Sequence, residues 1–339
     1  MPDNVLVPGM ATSIGSLPHQ DADAAAALVL RCVPELPAAP QLPNRSPLEG
    51  MVAQWVRAID GVDVDPADGS ISVRADLDGL ACVDTTFDPI AHGGLLAFLD
   101  IAAVQPRVPR RVKVQCAGPL TIAVALLDAG ADTDTAFALG ARAARLWSRA
   151  LQELVASRLP DAALLCCFDE PALLRWASDS DVDDNLVDRE TATDLLSSAL
   201  AAPSCLTAVH VCGRGNLRLA LDAGPRVVHF DVAALDLADA APLSRYLEGG
   251  GWVIWGAVPS DRPVGEQAAP MWKALLDTWC ELTRRGCDPS RLRSQALVAP
   301  ACGLAGHGVS QAERTLLLAR EIGGRVHDHG AATKLAIGA

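Results

Sequence analysis

Aromatic side chains are scarce in this sequence. Phe, Trp and Tyr make up 4% of the residues, whereas hydrophobic residues make up 50%. Leu, Val and Ala must therefore fill the interior of the fold. No apolar run approaches the roughly 18 residues of a membrane-spanning helix, because Asp, Arg or Gly interrupts each one. Global disorder is excluded too, since disordered chains are poor in hydrophobic residues.

Basic residues are also fewer than acidic residues. The chain has 28 Lys and Arg residues against 41 Asp and Glu residues, a formal net charge of −13. Nucleic acid and anionic membranes attract basic surfaces, so we expect neither as a partner. The first ten residues, MPDNVLVPGM, show no basic segment followed by an apolar one, which predicts a cytoplasmic protein without a secretory leader. In the reducing cytoplasm, we expect the ten cysteines to be free thiols or metal ligands rather than partners in disulfides.

Short apolar runs alternate with amphipathic helical stretches from about residue 107 onwards. Runs without polar alternation are typical of parallel strands buried on both faces. Six of them are present, at residues 112–118, 163–169, 207–213, 227–232, 252–259 and 296–302. Two shorter strands are predicted at 11–16 and 38–42, and part of a hairpin at 69–74. Eight parallel strands predict an α/β fold, a single (β/α)8 TIM barrel over residues 1–339 with an N-terminal hairpin insertion.

An open, doubly wound sheet is the structural alternative. That fold would place a glycine-rich phosphate loop after its first strand, with the pattern G-x-G-x-x-G. The sequence reads SIGSLPH there, so a dinucleotide fold is disfavoured. In a barrel, catalytic residues gather at the carboxyl ends of the strands, which directs attention to the polar residues at those ends.

Metal-ligating residue types stand at three predicted strand ends. His210 and Cys212 are two residues apart on one strand, so their side chains share a face. Cys302 ends the last strand, and Asp231 ends the strand that follows the one with His210. Nitrogen, sulfur and oxygen donors together suit tetrahedral Zn²⁺. The alternative interpretation is a core histidine beside buried thiols.

Two acids close the fourth predicted strand. Asp169 and Glu170 precede Pro171, where a carboxylate could bind an amine or act as a general base. A helix N-cap is the alternative role for such an acid. At the end of the first strand, Ser16 could donate to a carboxylate or cap the following turn.

Five segments carry a resemblance to a known family. They are TSIGSLP (12–18), GPLTI (118–122), DEPA (169–172), HVC (210–212) and ACGL (301–304). In this order they resemble the catalytic barrel of the cobalamin-independent methionine synthase superfamily. The related uroporphyrinogen decarboxylases share the barrel but lack the metal ligands, so the His and Cys residues separate the two.

The resemblance implies a zinc-dependent thiol S-methyltransferase that converts homocysteine to methionine through a metal-bound thiolate. It implies that His210, Cys212 and Cys302 ligate Zn²⁺, with Asp231 standing where the family has Glu. His210, Cys212 and Cys302, together with Asp169, form the predicted catalytic set, and Asp231 is predicted only as a metal ligand.

The resemblance also implies a binding site for the amino acid. Asp169 would hold the amine, with Glu170 beside it in the predicted substrate site. Ile14 and Ser16, at the I-G-S turn, would hold the carboxylate.

The methyl donor is less closely defined by the resemblance. The family has a His on the loop after the seventh strand and a second acid on the second strand, but residues 257–261 read AVPSD and 41–45 read QLPNR. A methylated corrinoid or a sulfonium compound is therefore an alternative to a polyglutamyl folate. Two other functions stay open: a uroporphyrinogen-decarboxylase-like enzyme, and a non-catalytic barrel that binds zinc or a thiol.

Overall fold

A computed structural model describes residues 5–176 and 186–337, with side chains described as far as residue 329. Near the N-terminus, β1 (Val62–Val64) and β2 (Ile71–Val73) pair as an antiparallel hairpin. This hairpin forms a sheet of its own, separate from the main sheet, as the sequence predicted. Residues 1–4, part of the segment considered for a secretory leader, lie outside the described residues.

The main sheet has six parallel strands, and each strand neighbours the next one along the chain. The strands are β3 (Arg111–Ala117), β4 (Ala163–Asp169), β5 (Leu206–Val211), β6 (Val227–Asp231), β7 (Trp252–Val258) and β8 (Ala296–Pro300). They curl into a half-barrel. The prediction of six strands after residue 107 is confirmed. The predicted runs extend past the carboxyl ends of all of these strands except β4, and by two residues at β5 and β8, where Cys212 and Cys302 belong to loops.

The first two predicted strands are not regular strands. Their segments form isolated parallel bridges, from Ala11 to Val298 of β8, from Ser16 to Gln41, and from Ala38 to Lys113 of β3. In and beside the second segment, the prolines at positions 37, 40 and 43 lack the N–H that a continuous ladder of hydrogen bonds needs. The described residues therefore contain six of the eight predicted strands, and single bridges through two short segments link the two edges of the sheet.

Helices follow the strands and pack against the sheet and against one another. They are α1 (Ala22–Cys32), α2 (Ala53–Val56), α3 (Gly93–Ala103), α4 (Pro119–Asp128), α5 (Thr133–Arg158), α6 (Arg189–Leu200), α7 (Leu217–Asp222), α8 (Ala240–Glu248), α9 (Ala269–Arg284), α10 (Pro289–Ser294) and α11 (Val309–Ile337). No helix within the described part of the chain is long and apolar enough to cross a membrane.

Helix α4 begins at the Gly118-Pro119 pair. Gly118 is its N-cap and Pro119 is its first residue. Proline suits that position because its missing N–H has no helical partner there, and its fixed backbone angle matches a helix. This helix matters for the site, because it begins directly after β3.

The hydrophobic core has two parts. The larger part lies between the sheet and the surrounding helices. A smaller cluster is formed by residues of the strands and of the N-terminal segment: Leu6, Met10, Ile14, Leu36, Leu165, Cys167, Ala208, Val227, Ile254, Leu297 and Ala299. Strand residues alternate between the two faces of a sheet, so these side chains fill the inner face of the half-barrel.

His92 lies in an aromatic cluster next to α3. Its ring is 5.3 Å from the rings of Trp55, Phe87 and Trp147, centroid to centroid. Burial is the main reason why the pKa of His92 falls to about 4. The unfolded chain would protonate this imidazole near pH 6.5.

We therefore expect His92 to destabilise the protein in acid. Its folded-state pKa is depressed, so protonation favours the unfolded chain, and the free energy of unfolding should fall by up to about 3 kcal/mol between about pH 6.5 and 4. His92→Phe keeps an aromatic ring and should remove this part of the pH dependence. Urea denaturation of both proteins at several pH values measures the difference, and identical pH slopes would show that His92 does not contribute.

Candidate metal and substrate site

The carboxyl ends of β5 and β8 bring three predicted ligands together. His210 lies in β5, Cys212 directly follows that strand, and Cys302 follows β8. Their ligand atoms all lie within 4.8 Å of one another. The two sulfurs are 3.5 Å apart, and the Sγ of Cys302 is 3.7 Å from Nε2 of His210.

Two of these distances are close to those of a tetrahedral zinc site. With ordinary bond lengths, the edges of such a site are about 3.8 Å between two sulfurs and about 3.6 Å between sulfur and nitrogen. The spacing of the two sulfurs, and of Cys302 and His210, therefore suits zinc ligands as well as their chemistry does. His210 is buried and both cysteines are half-buried, so the cluster borders on solvent at the sulfur side.

A hydrogen bond joins the two cysteines, whose sulfurs are 3.5 Å apart. This contact is the main cause of a lowered pKa for Cys302 and a raised pKa for Cys212. A bound cation would favour the deprotonated form of both thiols.

Behind His210 lies a second histidine that the sequence interpretation did not include. His229 of β6 stands opposite His210 in the strand register. The two Nδ1 atoms are 2.5 Å apart, and Nε2 of His229 is 3.0 Å from the carbonyl oxygen of Pro300. Burial, followed by the charges of His210 and Lys113, holds the pKa of His229 well below its ordinary range.

Asp231 is not part of the three-residue cluster. Its carboxylate accepts a hydrogen bond from the backbone N–H of Ala233 at 2.9 Å, which caps a short 3-10 turn after β6. Burial is the main cause of its raised pKa. Ligation of a metal by Asp231 stays a prediction, because the carboxylate has another partner in this structure.

Asp169 ends β4, beside β5, the strand that carries His210. It pairs in register with His210 of β5. Its side chain is buried, and burial raises its pKa to about 6, against the opposing effects of His210 and Lys113. A cationic amine beside this carboxylate would offset the cost of burying its charge, so the position suits amine binding.

Glu170 is occupied by the fold. Its carboxylate accepts hydrogen bonds from the backbone N–H groups of Leu120 and Thr121, at 3.0 and 2.9 Å, and from the Thr121 hydroxyl at 2.6 Å. Burial raises its pKa to about 7, and these hydrogen bonds oppose the rise. All three donors belong to the first turn of α4, so Glu170 joins the end of β4 to that helix. Its contact with a substrate stays a prediction.

We expect Glu170→Ala to act on stability rather than on the metal. The change leaves two buried N–H groups of α4 without their acceptor, which should lower the free energy of unfolding by about 2–4 kcal/mol. Thermal denaturation and zinc content of the same preparation test this. If the variant kept its stability but bound the substrate thiol more weakly, Glu170 would belong to the substrate site instead.

The Ile14–Ser16 turn lies next to the loop that carries Cys302. The carbonyl oxygen of Ser16 accepts from the N–H of Leu304 at 2.8 Å. A Cβ atom at Gly303 would lie 2.5 Å from the Ser16 hydroxyl oxygen, so this close approach requires glycine. The structure thus places Ser16 beside the Cys302-Gly303 backbone. Its role in carboxylate binding stays a prediction.

A buried lysine supports the same turn, and it is the second polar group that the sequence interpretation did not include. The Nζ atom of Lys113 donates to the carbonyl oxygen of Ile14 at 2.7 Å and to Oε1 of Gln115 at 3.0 Å. Gly15 has a φ of +144°, and a Cβ there would lie 2.2 Å from Nε2 of Gln115. The only sequence signal is the polar residues inside the apolar run RVKVQCA.

Comparisons with known proteins bear on the fold. No family model and no curated protein matches this sequence. Among solved structures, the chain is similar to a B12-independent methionine synthase from Shewanella sp. W3-18-1, determined in complex with selenomethionine. The TM-score is 0.66 at 14% identity, covering 96% of this chain and 99% of the other. The resemblance carried by the five sequence segments is confirmed at the level of structure: this chain has the fold of a B12-independent methionine synthase.

Proposed function

We propose that the protein is a zinc-dependent thiol S-methyltransferase whose acceptor is homocysteine, so that the product is methionine. The observation that carries the proposal is the cluster of His210, Cys212 and Cys302, which stands at the carboxyl ends of the strands on a methionine synthase fold. We further propose that the whole chain is one catalytic barrel, in which the two bridged segments near the N-terminus complete the ring of eight strands.

The metal and the protein residues have separate roles in the proposed reaction. When bound, Zn²⁺ supplies a Lewis acid that lowers the pKa of a thiol and so provides a thiolate at neutral pH. His210, Cys212 and Cys302 would be its three protein ligands, and a site of this kind keeps one position for a substrate thiol. The acceptor thiol loses its proton to solvent, its sulfur forms the bond to the methyl carbon, and the bond from that carbon to the donor breaks with its electrons going to the donor.

Binding of the acceptor falls to the neighbouring strand ends. Asp169 would hold the amine, and the Ile14–Ser16 turn the carboxylate, so that the sulfur meets the metal in a fixed orientation. The similar synthase was solved with selenomethionine, an amino acid of the same shape as methionine, and this supports an amino-acid thiol as the acceptor. Asp231 is a candidate for an additional ligand if its carboxylate leaves Ala233.

We propose that the methyl donor is a methylated corrinoid or a sulfonium compound in preference to a folate. The loop after β7 has no His at residues 257–261. His307, from the loop after β8, contacts this loop instead, with Nε2 2.9 Å from the carbonyl oxygen of Ser260. The proposed chemistry needs reduced thiols, which fits the cytoplasm, and it needs neither nucleic acid nor a membrane as a partner.

A methyl-transfer assay tests the proposal. Zinc-loaded protein is incubated with homocysteine and, separately, with a methylated corrinoid, methyltetrahydrofolate or S-adenosylmethionine, and methionine is quantified. We expect methionine with at least one donor, loss of activity after treatment with a chelator, and recovery with zinc. Turnover with folate alone would overturn the donor preference. Metal-independent decarboxylation of a porphyrinogen, without thiol methylation, would favour the decarboxylase-like alternative.

A further inference from the structure

The imidazole of His210 makes contacts through both of its ring nitrogens. Nε2 faces the Sγ of Cys302 at 3.7 Å, on the side of the metal cluster. Nδ1 faces away from it, 2.5 Å from Nδ1 of His229. A histidine that ligates a metal through Nε2 must carry its proton on Nδ1, and that proton needs an acceptor.

The contacts of His229 determine which nitrogen is the acceptor. A backbone carbonyl can only accept, so the 3.0 Å contact with Pro300 places a proton on Nε2 of His229. In the neutral imidazole, Nδ1 of His229 then has a free lone pair. Only one hydrogen fits between the two Nδ1 atoms, so His210 donates it and keeps Nε2 unprotonated.

We propose that His229 is a positioning residue that holds His210 in the tautomer and orientation needed for zinc ligation through Nε2. This inference rests on the proposed zinc site and extends it to a residue that need not touch the metal. The chain of contacts runs from Cys302 through His210 and His229 to Pro300, and therefore back to β8, the strand that precedes Cys302. It ties the ligand on β5 to the ligand after β8, because Pro300 lies two residues before Cys302.

The strand geometry supports a dedicated contact. The pairing of β7 with β8 shifts register between Gly256 and Val258, opposite Pro300. Pro300 has no N–H, and its carbonyl is available to His229. His229 is only 1% exposed and lies on the inner face of the half-barrel. An aliphatic residue would be sufficient for packing at such a position in a buried strand.

Two variants, one that keeps a hydrogen-bond acceptor and one that keeps the volume of the side chain, separate positioning from packing. In His229→Asn, the amide oxygen is bonded to Cγ, as Nδ1 is, and can still accept from His210. His229→Leu fills similar space without an acceptor. Loss of an outer partner of a ligating histidine costs about 10- to 100-fold in metal affinity. We expect His229→Leu to bind zinc about 10- to 100-fold more weakly than the wild type, and His229→Asn to stay within about threefold.

Chelator competition measures the zinc affinity, and ¹⁵N NMR of the metal-free wild type reports the protonated nitrogen of each ring. We expect the proton of His210 on Nδ1 and that of His229 on Nε2. Zinc bound by the wild type and by His229→Leu with equal affinity would overturn this inference and leave the proposed function intact. Failure of the wild type to bind zinc would instead overturn the proposed function. If His229→Leu does not fold, a His210 proton found on Nε2 would still refute the inference.

Discussion

Cys302→Ser should lose both the bound zinc and the methylation of thiols. A serine hydroxyl does not ionise at neutral pH as a thiol beside a metal does, so the variant keeps only two effective protein ligands. Zinc affinity should fall by more than about 100-fold, since even outer partners of ligands are worth about 10- to 100-fold. Cys302 lies in a half-buried loop after β8, so the melting temperature should change little.

Cys212→Ser should behave in the same way, because its sulfur lies 3.5 Å from that of Cys302. Cys280→Ser is the matched control, since Cys280 is an exposed thiol on α9 outside the cluster. Zinc content by elemental analysis, measured on all four proteins after a chelator wash, decides the matter. A full zinc complement in Cys302→Ser would refute the proposed ligand set.

Asp169→Asn should keep its zinc but bind the acceptor poorly. The amide has no charge to pair with an ammonium group, and hydrogen bonds to charged groups are worth about 1.5–3 kcal/mol. The KM for homocysteine should therefore rise about 10- to 100-fold. Asp169 is buried at the end of β4, so an amine there would gain most of this interaction without screening by solvent.

An acceptor without the amine provides the internal control. A thiol acid that lacks the amino group should show the same KM with the wild type and with Asp169→Asn. Asp161→Asn is the control variant, because Asp161 is an exposed acid just before β4. An unchanged KM for homocysteine in Asp169→Asn would remove Asp169 from the substrate site.

The six regular strands were predictable because each is an unbroken apolar run buried on both faces. The strand that carries Ala163–Asp169 was predicted at both ends, since a loop precedes it and its acids close it. The two N-terminal segments were predicted as the short strands that would complete a barrel of eight. Both form only isolated bridges, and in the segment at 38–42 the prolines in and beside it interrupt the pairing.

The cluster of His210, Cys212 and Cys302 was predictable in part. The two-residue spacing of His210 and Cys212 predicted that their side chains share a face, and this spacing is a local property. His229 was missed because its contact depends on the register between β5 and β6, which residue spacing within one strand does not determine. Glu170 was predicted in the substrate site because it closes a strand beside Asp169. Its three hydrogen-bond donors on α4 were not foreseen.

Zinc K-edge X-ray absorption, recorded with and without homocysteine, tests the central claim most directly. We predict two sulfur ligands and at least one imidazole nitrogen in the resting protein, and one further sulfur ligand when homocysteine is added. An unchanged sulfur count on addition of the thiol would contradict the account, because the metal would then hold the fold together without binding the acceptor.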